Sequence, residues 1–123
     1  MANITPTRLQ IGIGANYGFT YTWTPVTSAD TPLAVSFPEA SIKSIQVLGT
    51  FDSVSVALHG SNDGTNYAAL STPANAAIAI TAAGIKSVLE NTVYVKPVIS
   101  GGGGSQSISI VLFVLAPNPT RGG

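Results

Sequence analysis

Three side chains with the chemistry of a hydrolase lie close together in the sequence, at His59, Ser61 and Asp63. A nucleophilic hydroxyl, an imidazole base and an orienting carboxylate are the parts of a Ser-His-Asp triad. Here all three fall within one turn, and nothing around them indicates a strained elbow for the serine or backbone donors for an oxyanion. The sequence therefore predicts no nucleophilic catalysis at this place.

The acidic residues are too scattered to predict a metal site or a glycosidase site. Asp52 and Asp63 could offer calcium ligands, but neither an Asp-x-Asp spacing nor a bidentate glutamate accompanies them. Glu39 and Glu90 are far apart in the chain and belong to no motif that would pair them. The chain has one histidine and no cysteine, which leaves no cluster of His and Cys ligands. We expect a protein that is not an enzyme and that binds no metal or other cofactor.

Four consecutive glycines at positions 101–104 are the remaining candidate for chemistry. Glycine-rich loops cradle phosphate where a helix N-terminus or a lysine follows them. Here the β-rich segment 105–115 follows, so the phosphate hypothesis fails. We expect the glycines to form the loose tip of a hairpin that joins residues 92–99 to residues 105–115, because glycine restricts the backbone least.

The segment 53–70 carries the clearest pattern of secondary structure. Val54, Val56 and Leu58 alternate with small or polar residues, which is the period of a strand with one buried face. The sequence Asn62-Asp63-Gly64 then predicts a tight turn, and residues 67–70 predict the returning strand.

Similar alternation predicts strands at residues 9–13, 17–23, 33–37, 42–49 and 78–80, and Pro97 is expected at a sheet edge or a bulge. Ile85, Val88 and Leu89 have helical spacing, which predicts one short helical turn at 82–89. The predicted fold is all-β, a β-sandwich or jelly-roll-like domain with at most one short helix. The domain is expected at residues 9–116, with an N-terminal arm at 1–8 and a C-terminal arm at 117–123.

Two apolar stripes are expected to lie in the core or at a subunit interface. One is the aromatic stripe along residues 17–23, which could alternatively line a sugar-binding platform. The other is the second face of the last strand, which becomes apolar from residue 111 onwards and needs a subunit contact or an arm to cover it. The residues predicted to lie in an interface, including two in the C-terminal arm, are Tyr17, Phe19, Tyr21, Trp23, Val111, Phe113, Leu115, Pro117 and Arg121.

The charge content favours a chain that works packed against neighbours. Among 123 residues only 8% are charged, against about 25% in ordinary soluble domains, and the formal net charge is zero. The alternative is a monomer with a neutral, polar surface. The isolated basic residues form no stripe for phosphates, and the longest apolar run, 110–116, is short against the about 20 residues of a spanning helix. We therefore expect neither nucleic acid nor membrane as a partner, and no signal peptide is visible.

Several motifs resemble those of small virion proteins of tailed bacteriophages. They are GSNDGTNY at 60–67, LENTVYVKP at 89–97, and the glycine-rich turn and apolar strand at 100–115. Many such sequences read G-S-N-D-G-T-N-W, and Tyr67 stands here in place of the tryptophan. The resemblance covers residues 42–115 and is to capsid decoration (cement) proteins and related head or tail accessory proteins.

The resemblance implies a compact β-domain, often a homotrimer, that binds the major capsid protein on the exterior of the virion. The arms and the loop 25–40 would then contact the capsid or neighbouring subunits. Two alternatives stay open. The same hairpin resembles that of discoidin-like and other carbohydrate- or cell-surface-binding β-sandwiches, in which Tyr67 and Trp23 would stack on sugars. A tail or baseplate adaptor would share the fold and differ in its partner.

Overall fold

A computed structural model of the chain describes residues 3–11, 17–27, 29–36, 42–90, 92–103 and 105–116. The regular secondary structure in these ranges consists of β-strands alone, which confirms the all-β prediction. The strands are β1 (Asn3–Ile4), β2 (Thr7–Ile11), β3 (Tyr17–Val26), β4 (Thr31–Pro32), β5 (Val35–Ser36), β6 (Ile42–Thr50), β7 (Val54–Ser61), β8 (Ala68–Ala69), β9 (Gly84–Ser87), β10 (Tyr94–Gly101) and β11 (Ser107–Ala116).

Two antiparallel sheets form a β-sandwich, as predicted. One sheet has four strands in the order β5-β10-β7-β8, and the other has five in the order β2-β3-β11-β6-β9. A separate parallel pair joins β1 to β4. The hydrophobic core takes side chains from both sheets, because each long strand turns alternate residues inward.

The predicted hairpin 53–70 is present, with β7 antiparallel to the short β8. Val54, Val56 and Leu58 are fully buried, as their alternation indicates. On β11 the inward residues Ile110 and Leu112 are also fully buried. Each such side chain contributes about 1.5–3 kcal/mol by leaving water, so these strands supply much of the driving force for closing the sandwich.

A bulge interrupts the pairing of β3 with β11. Ile108 pairs with Val26 and Ile110 pairs with Trp23, so that two steps along β11 face three along β3. The extra residue falls at Thr24–Pro25, whose peptide bond is cis. A proline fits there because a bulge leaves a residue outside the hydrogen-bond ladder. The bulge lets Trp23 and Val26 both point into the core, although they are three residues apart.

The predicted hairpin across the glycine run is wrong, because β10 and β11 belong to different sheets. β10 pairs with β5 and β7, whereas β11 pairs with β3 and β6. Gly101 and Gly102, with φ of 74° and 95°, turn the chain so that it crosses from one sheet to the other. Alternation shows that a strand buries one face, but it does not distinguish a hydrogen-bonded neighbour from a facing strand.

The predicted helical turn at 82–89 is also wrong. Residues 84–87 form β9, which pairs antiparallel with β6 at the edge of the five-stranded sheet. Val88 is buried while Ile85 and Leu89 are exposed, so the three do not share one face. A single helical turn does not offset the cost of its own nucleation, whereas pairing with β6 satisfies the same backbone groups.

The described part of the predicted N-terminal arm is paired with the sandwich instead of extending from it. Asn3–Ile4 runs parallel to Thr31–Pro32, and the Ile4 carbonyl accepts a hydrogen bond of 3.0 Å from the Leu33 amide. Thr7–Ile11 pairs with β3, so the strand predicted at 9–13 is present over residues 9–11 and begins two residues earlier, while residues 12 and 13 lie outside the described residues. Of the predicted strand 33–37, Val35–Ser36 form β5, residues 33–34 are not in a strand, and residue 37 lies outside the described residues. The predicted strand 78–80 is not present as a strand, because Ala77 and Ile80 each form only an isolated bridge. The predicted C-terminal arm, 117–123, lies outside the described residues.

Pro97 lies in the part of β10 that pairs with a strand on one side only. β5 pairs only with Tyr94 and Val95, while Pro97 is opposite Leu58 of β7. In the described part of the chain, no strand pairs with Pro97 on the side of β10 away from β7. The N–H that proline lacks is therefore not needed for a hydrogen bond on that side. The expectation of an edge position is confirmed.

Candidate functional site

The Asp63 carboxylate organises the turn after β7. One of its oxygens, Oδ1, accepts hydrogen bonds of 2.8 Å from the amides of Thr65 and Asn66 and from the Ser61 hydroxyl. Its other oxygen accepts one of 2.8 Å from the Asn66 side chain. The amides of Asn66 and Thr65, followed by the two side chains, hold the pKa of the Asp63 carboxyl well below its usual range. Asp63 is thus a fully ionised acceptor that fixes the backbone of the turn.

The three residues considered as a hydrolase triad do not form one. The Ser61 hydroxyl donates to Asp63 and accepts hydrogen bonds from the amides of Asp63 and Gly64, at 3.2 and 2.9 Å. Its proton is therefore not directed at His59. Ser61 is also 3% exposed, which keeps a substrate carbonyl away from the oxygen.

His59 lies in a small basic cluster, with Tyr67 and Lys96, on the outer face of the four-stranded sheet. His59 and Lys96 are directly opposite each other on β7 and β10. The Lys96 ammonium lies over the Tyr67 ring, 4.2 Å from its centroid, in a cation–π contact. Burial, and then the nearby Lys96 charge, lower the pKa of His59. The imidazole is therefore neutral near pH 7, and one face of Tyr67 is already covered.

The aromatic stripe of β3 belongs mainly to the core. Trp23 has no exposed surface, and its Nε1 donates a hydrogen bond of 2.9 Å to the Leu33 carbonyl. Tyr21 is 7% exposed. Phe19 is half-buried at the margin, under the guanidinium of Arg8 at 4.9 Å. Trp23 and Tyr21 therefore belong to the core. Since the Trp23 ring has no exposed face, it cannot stack on a sugar.

The other predicted interface residues lie on the outer face of the five-stranded sheet or outside the described residues. Val111, Phe113 and Leu115 are half-buried on the side of β11 opposite to its core residues, as the sequence predicts. They form an apolar row along the central strand of that sheet. The structure does not describe the side chain of Tyr17, and Pro117 and Arg121 lie outside the described residues. Contact of any of these residues with a partner remains a prediction.

Asp52 has a structural role that the sequence did not indicate. The sequence suggested it as a calcium ligand, whereas in the structure it joins two of the places where the chain crosses between the sheets. Its carboxylate accepts a hydrogen bond of 2.9 Å from the Ser105 amide, and its carbonyl accepts one of 3.0 Å from the Gly103 amide. The crossing from β6 to β7 is thereby fastened to the crossing from β10 to β11.

Lys43 is the other residue whose position was missed. It shares the inward face of β6 with Ile45 and is 2% exposed. Burial lowers the pKa of the Lys43 ammonium, while the charge of Glu90 acts in the opposite direction. Glu90 itself accepts a hydrogen bond of 2.7 Å from the Ser71 amide, which is the main reason that its pKa is lowered. The sequence could have indicated this burial, since Lys43 is two residues from Ile45 and alternate residues of a strand share one face.

Two concave sites on the described surface fall below the usual size of a small-molecule site, one of about 190 Å³ and one of about 280 Å³ along residues 79–86. A groove of about 190 Å³ lies beside Lys96, between β4 and β10. Small-molecule sites commonly enclose about 300–1,000 Å³. Within the described ranges, no three His, Cys, Asp or Glu residues converge as metal ligands. The same ranges contain no helix with the length and apolarity to cross a membrane.

Comparison with known proteins gives a likeness of fold. No protein-family model and no curated protein matches the chain. The solved structure of the SPBc2 prophage-derived protein YomS is similar, with a TM-score of 0.53 and 11% sequence identity, over 85% of this chain and 98% of YomS. The protein NMB1881 from Neisseria meningitidis matches with a TM-score of 0.36 and 9% identity, over 87% of this chain and 80% of its own. The chain thus shares the fold of YomS along nearly all of that protein.

Proposed function

We propose that the chain is a structural protein of a bacteriophage particle, which binds the outer surface of the capsid and stabilises it as a decoration (cement) protein. The observation that carries the proposal is the shared fold with YomS, a protein of prophage origin, over 98% of its length. The motifs at 60–67, 89–97 and 100–115 add their resemblance to virion proteins of tailed phages. The proposed partners are the major capsid protein and further copies of this chain.

The physical properties of the domain suit such a role. The Asp63 carboxylate fastens a turn and Asp52 joins two crossings between the sheets, which holds the sandwich together by hydrogen bonds as well as by its core. The zero net charge of the chain avoids repulsion between many copies on one shell. Each contact with the shell need not be strong, because linked contacts add through a high effective concentration.

A carbohydrate-binding role has lost support. It required open aromatic faces at Trp23 and Tyr67, whereas Trp23 is fully buried and Lys96 covers one face of the Tyr67 ring. A tail or baseplate adaptor would share the fold and differ from a decoration protein in its partner, and so in its location on the particle. The test of the proposal therefore has to locate the protein.

The proposal is tested on particles of the phage or prophage that encodes the chain. We expect cryo-electron microscopy to show the domain on the outside of the capsid, and mass spectrometry to give a copy number that scales with the major capsid protein. Particles from which the gene is deleted should lose capsid integrity at a lower temperature, and added purified protein should restore it. Density confined to the tail would replace decoration by the adaptor role. Absence from purified particles would overturn both.

Deletion of residues 117–123 tests the expected contact of the C-terminal arm with the capsid. We expect the truncated protein to retain the thermal unfolding midpoint of the full chain, because the last strand among the described residues ends at Ala116. Its occupancy on particles should fall. Unchanged occupancy with an intact fold would show that the arm is not needed for attachment.

A further inference from the structure

We propose that two copies of this chain associate through the outer face of the five-stranded sheet, about a two-fold axis. The inference rests on that part of the proposed function in which the protein associates with itself, and it names the surface. Three observations support it: the types of residue that the strand register places on this face, the absence of outward charges from its described part, and the area of the sheet.

The register assembles the outer face from two parallel rows of side chains. Residues that are directly opposite in antiparallel strands point to the same side of a sheet. Phe113 is opposite Thr20 and Ser44, and Val111 is opposite Thr22 and Gln46. Extended to the edge strands, the first row is Leu9, Thr20, Phe113, Ser44 and Ser87, and the second is Thr7, Thr22, Val111, Gln46 and Ile85.

These rows place large apolar side chains beside shorter polar ones. Large apolar side chains stand on the central strand and at the two edges, where Leu9 and Ile85 are each 62% exposed. Short hydroxyl-bearing side chains lie between Phe113 and the Leu9 edge, and on the other side as far as Ser87. In the proposed pair, the large side chains of one copy pack over the shorter side chains of the other. Exposed apolar groups arranged in this way mark an interaction surface.

No charged side chain points outward from the described part of this sheet. The charged residues of this sheet are Arg8, Lys43 and Lys86. They pair with Tyr21, Val114 and Ile45, which face the core, so they lie on the inner side of the sheet. In a two-fold contact a side chain near the axis meets its own copy, and a charge there would meet a like charge. A face without charges is free of this penalty, which favours a second copy over a charged partner.

The other large face of the sandwich lacks this property. The outer side of the four-stranded sheet carries the basic cluster, in which Lys96 lies opposite His59. Two copies that met there would bring their lysines together in a desolvated interface. Self-association is therefore assigned to the five-stranded sheet.

The size of the sheet is close to what a stable dimer needs. With about 3.3 Å per residue and about 4.8 Å between strands, its five strands cover on the order of 600 Å² in projection. The relief of the side chains adds to this area. A standard interface buries about 800 Å² on each partner.

The first test is sedimentation of the purified full chain across a range of concentrations. We expect the wild type to dimerise reversibly, and Gln46→Lys, which places a charge in the second row, to raise the dissociation constant by about ten-fold or more. Ser100→Lys is the matched control, because Ser100 is also an exposed strand residue but lies on the four-stranded sheet. Equal thermal midpoints of the variants at low concentration would verify that their folds are intact. A wild type that stays monomeric, a trimer, or equal weakening by both changes would overturn the proposal.

The second test uses the absence of native cysteine in the chain. In Gln46→Cys the single thiol should react with a maleimide more slowly as protein concentration rises, whereas in Ser100→Cys the rate should stay constant. A constant rate for Gln46→Cys would overturn the contact. Neither test involves a capsid, so a monomeric protein that still decorates particles defeats only this inference. A dimer that is absent from particles defeats only the capsid function.

Discussion

At the scale of single residues, the Asp63 carboxylate should make the stability of the domain depend on pH in the acid range. Its pKa in the folded state lies below the ordinary value of 3.8, so the unfolded chain binds the proton more readily. The stabilisation is therefore complete above about pH 4 and is lost as the pH falls through the folded-state pKa. We expect the thermal midpoint of the wild type to fall in acid more steeply than that of Asp63→Asn.

The asparagine variant keeps an oxygen that can accept from the amides of Thr65 and Asn66, and it lacks the titratable charge. It should unfold at a lower temperature than the wild type at pH 7, and the two midpoints should converge in acid. Circular dichroism melts from pH 2 to pH 7 would measure this. Parallel curves for the two proteins across the whole range would show that Asp63 does not act through its charge.

His59 should produce a second pH dependence, near neutrality. Burial and the Lys96 charge lower its pKa in the folded state below the ordinary 6.5, so protonation favours the unfolded chain. Its contribution is present above about pH 6.5 and is lost as the pH falls towards the folded-state pKa. We expect the free energy of unfolding in urea to decrease between pH 7.5 and pH 5 in the wild type, and to do so less in His59→Gln. Lys96→Gln should show an intermediate slope, because it removes only the second cause.

At the scale of elements, the crossings from β6 to β7 and from β10 to β11 should depend on Asp52. Asp52→Ala removes the acceptor of the Ser105 amide, and it also places alanine at a φ of 46°, which alanine disfavours. We expect a loss of about 1–3 kcal/mol in the free energy of unfolding. Asp52→Asn retains an oxygen acceptor and tolerates positive φ, so it should lose clearly less. Equal losses in the two variants, measured by urea unfolding, would show that the side-chain hydrogen bond does not hold the crossings together.

The elements also show what a sequence pattern can and cannot predict. Alternation in 53–58 correctly predicted β7 and its buried face, because the period of a strand is a local property. The partner of a strand is not local, which is why β10 and β11 were expected to pair with each other. The spacing of Ile85, Val88 and Leu89 suited a helix, and an edge position beside β6 overrode that weak local preference.

The candidate site follows the same division between local and distant information. The turn at Asp63 was predicted from its residues, since aspartate and glycine make such turns by local hydrogen bonds and positive φ. The outward row of Val111, Phe113 and Leu115 was predicted from parity. The burial of Trp23 and the link from Asp52 to Ser105 depend on residues far away in the chain, which no single stretch of sequence specifies.

At the scale of the whole molecule, the two sheets should unfold as one cooperative unit. Trp23 reports on the core because it is fully buried and is the single tryptophan, while far-ultraviolet circular dichroism reports on the strands. Both sheets share this core, and Asp52 fastens two of the crossings between them, so the two signals should change together. Leu58→Ala, in the sheet opposite Trp23, should lower the free energy of unfolding by about 2–5 kcal/mol in both signals. Leu89→Ala, at a leucine that is 44% exposed, should lower it by less than about 0.5 kcal/mol. If Leu58→Ala shifted the circular dichroism transition and left tryptophan fluorescence unchanged, the sheets would be separate folding units, and a rigid two-sheet body would no longer describe the protein.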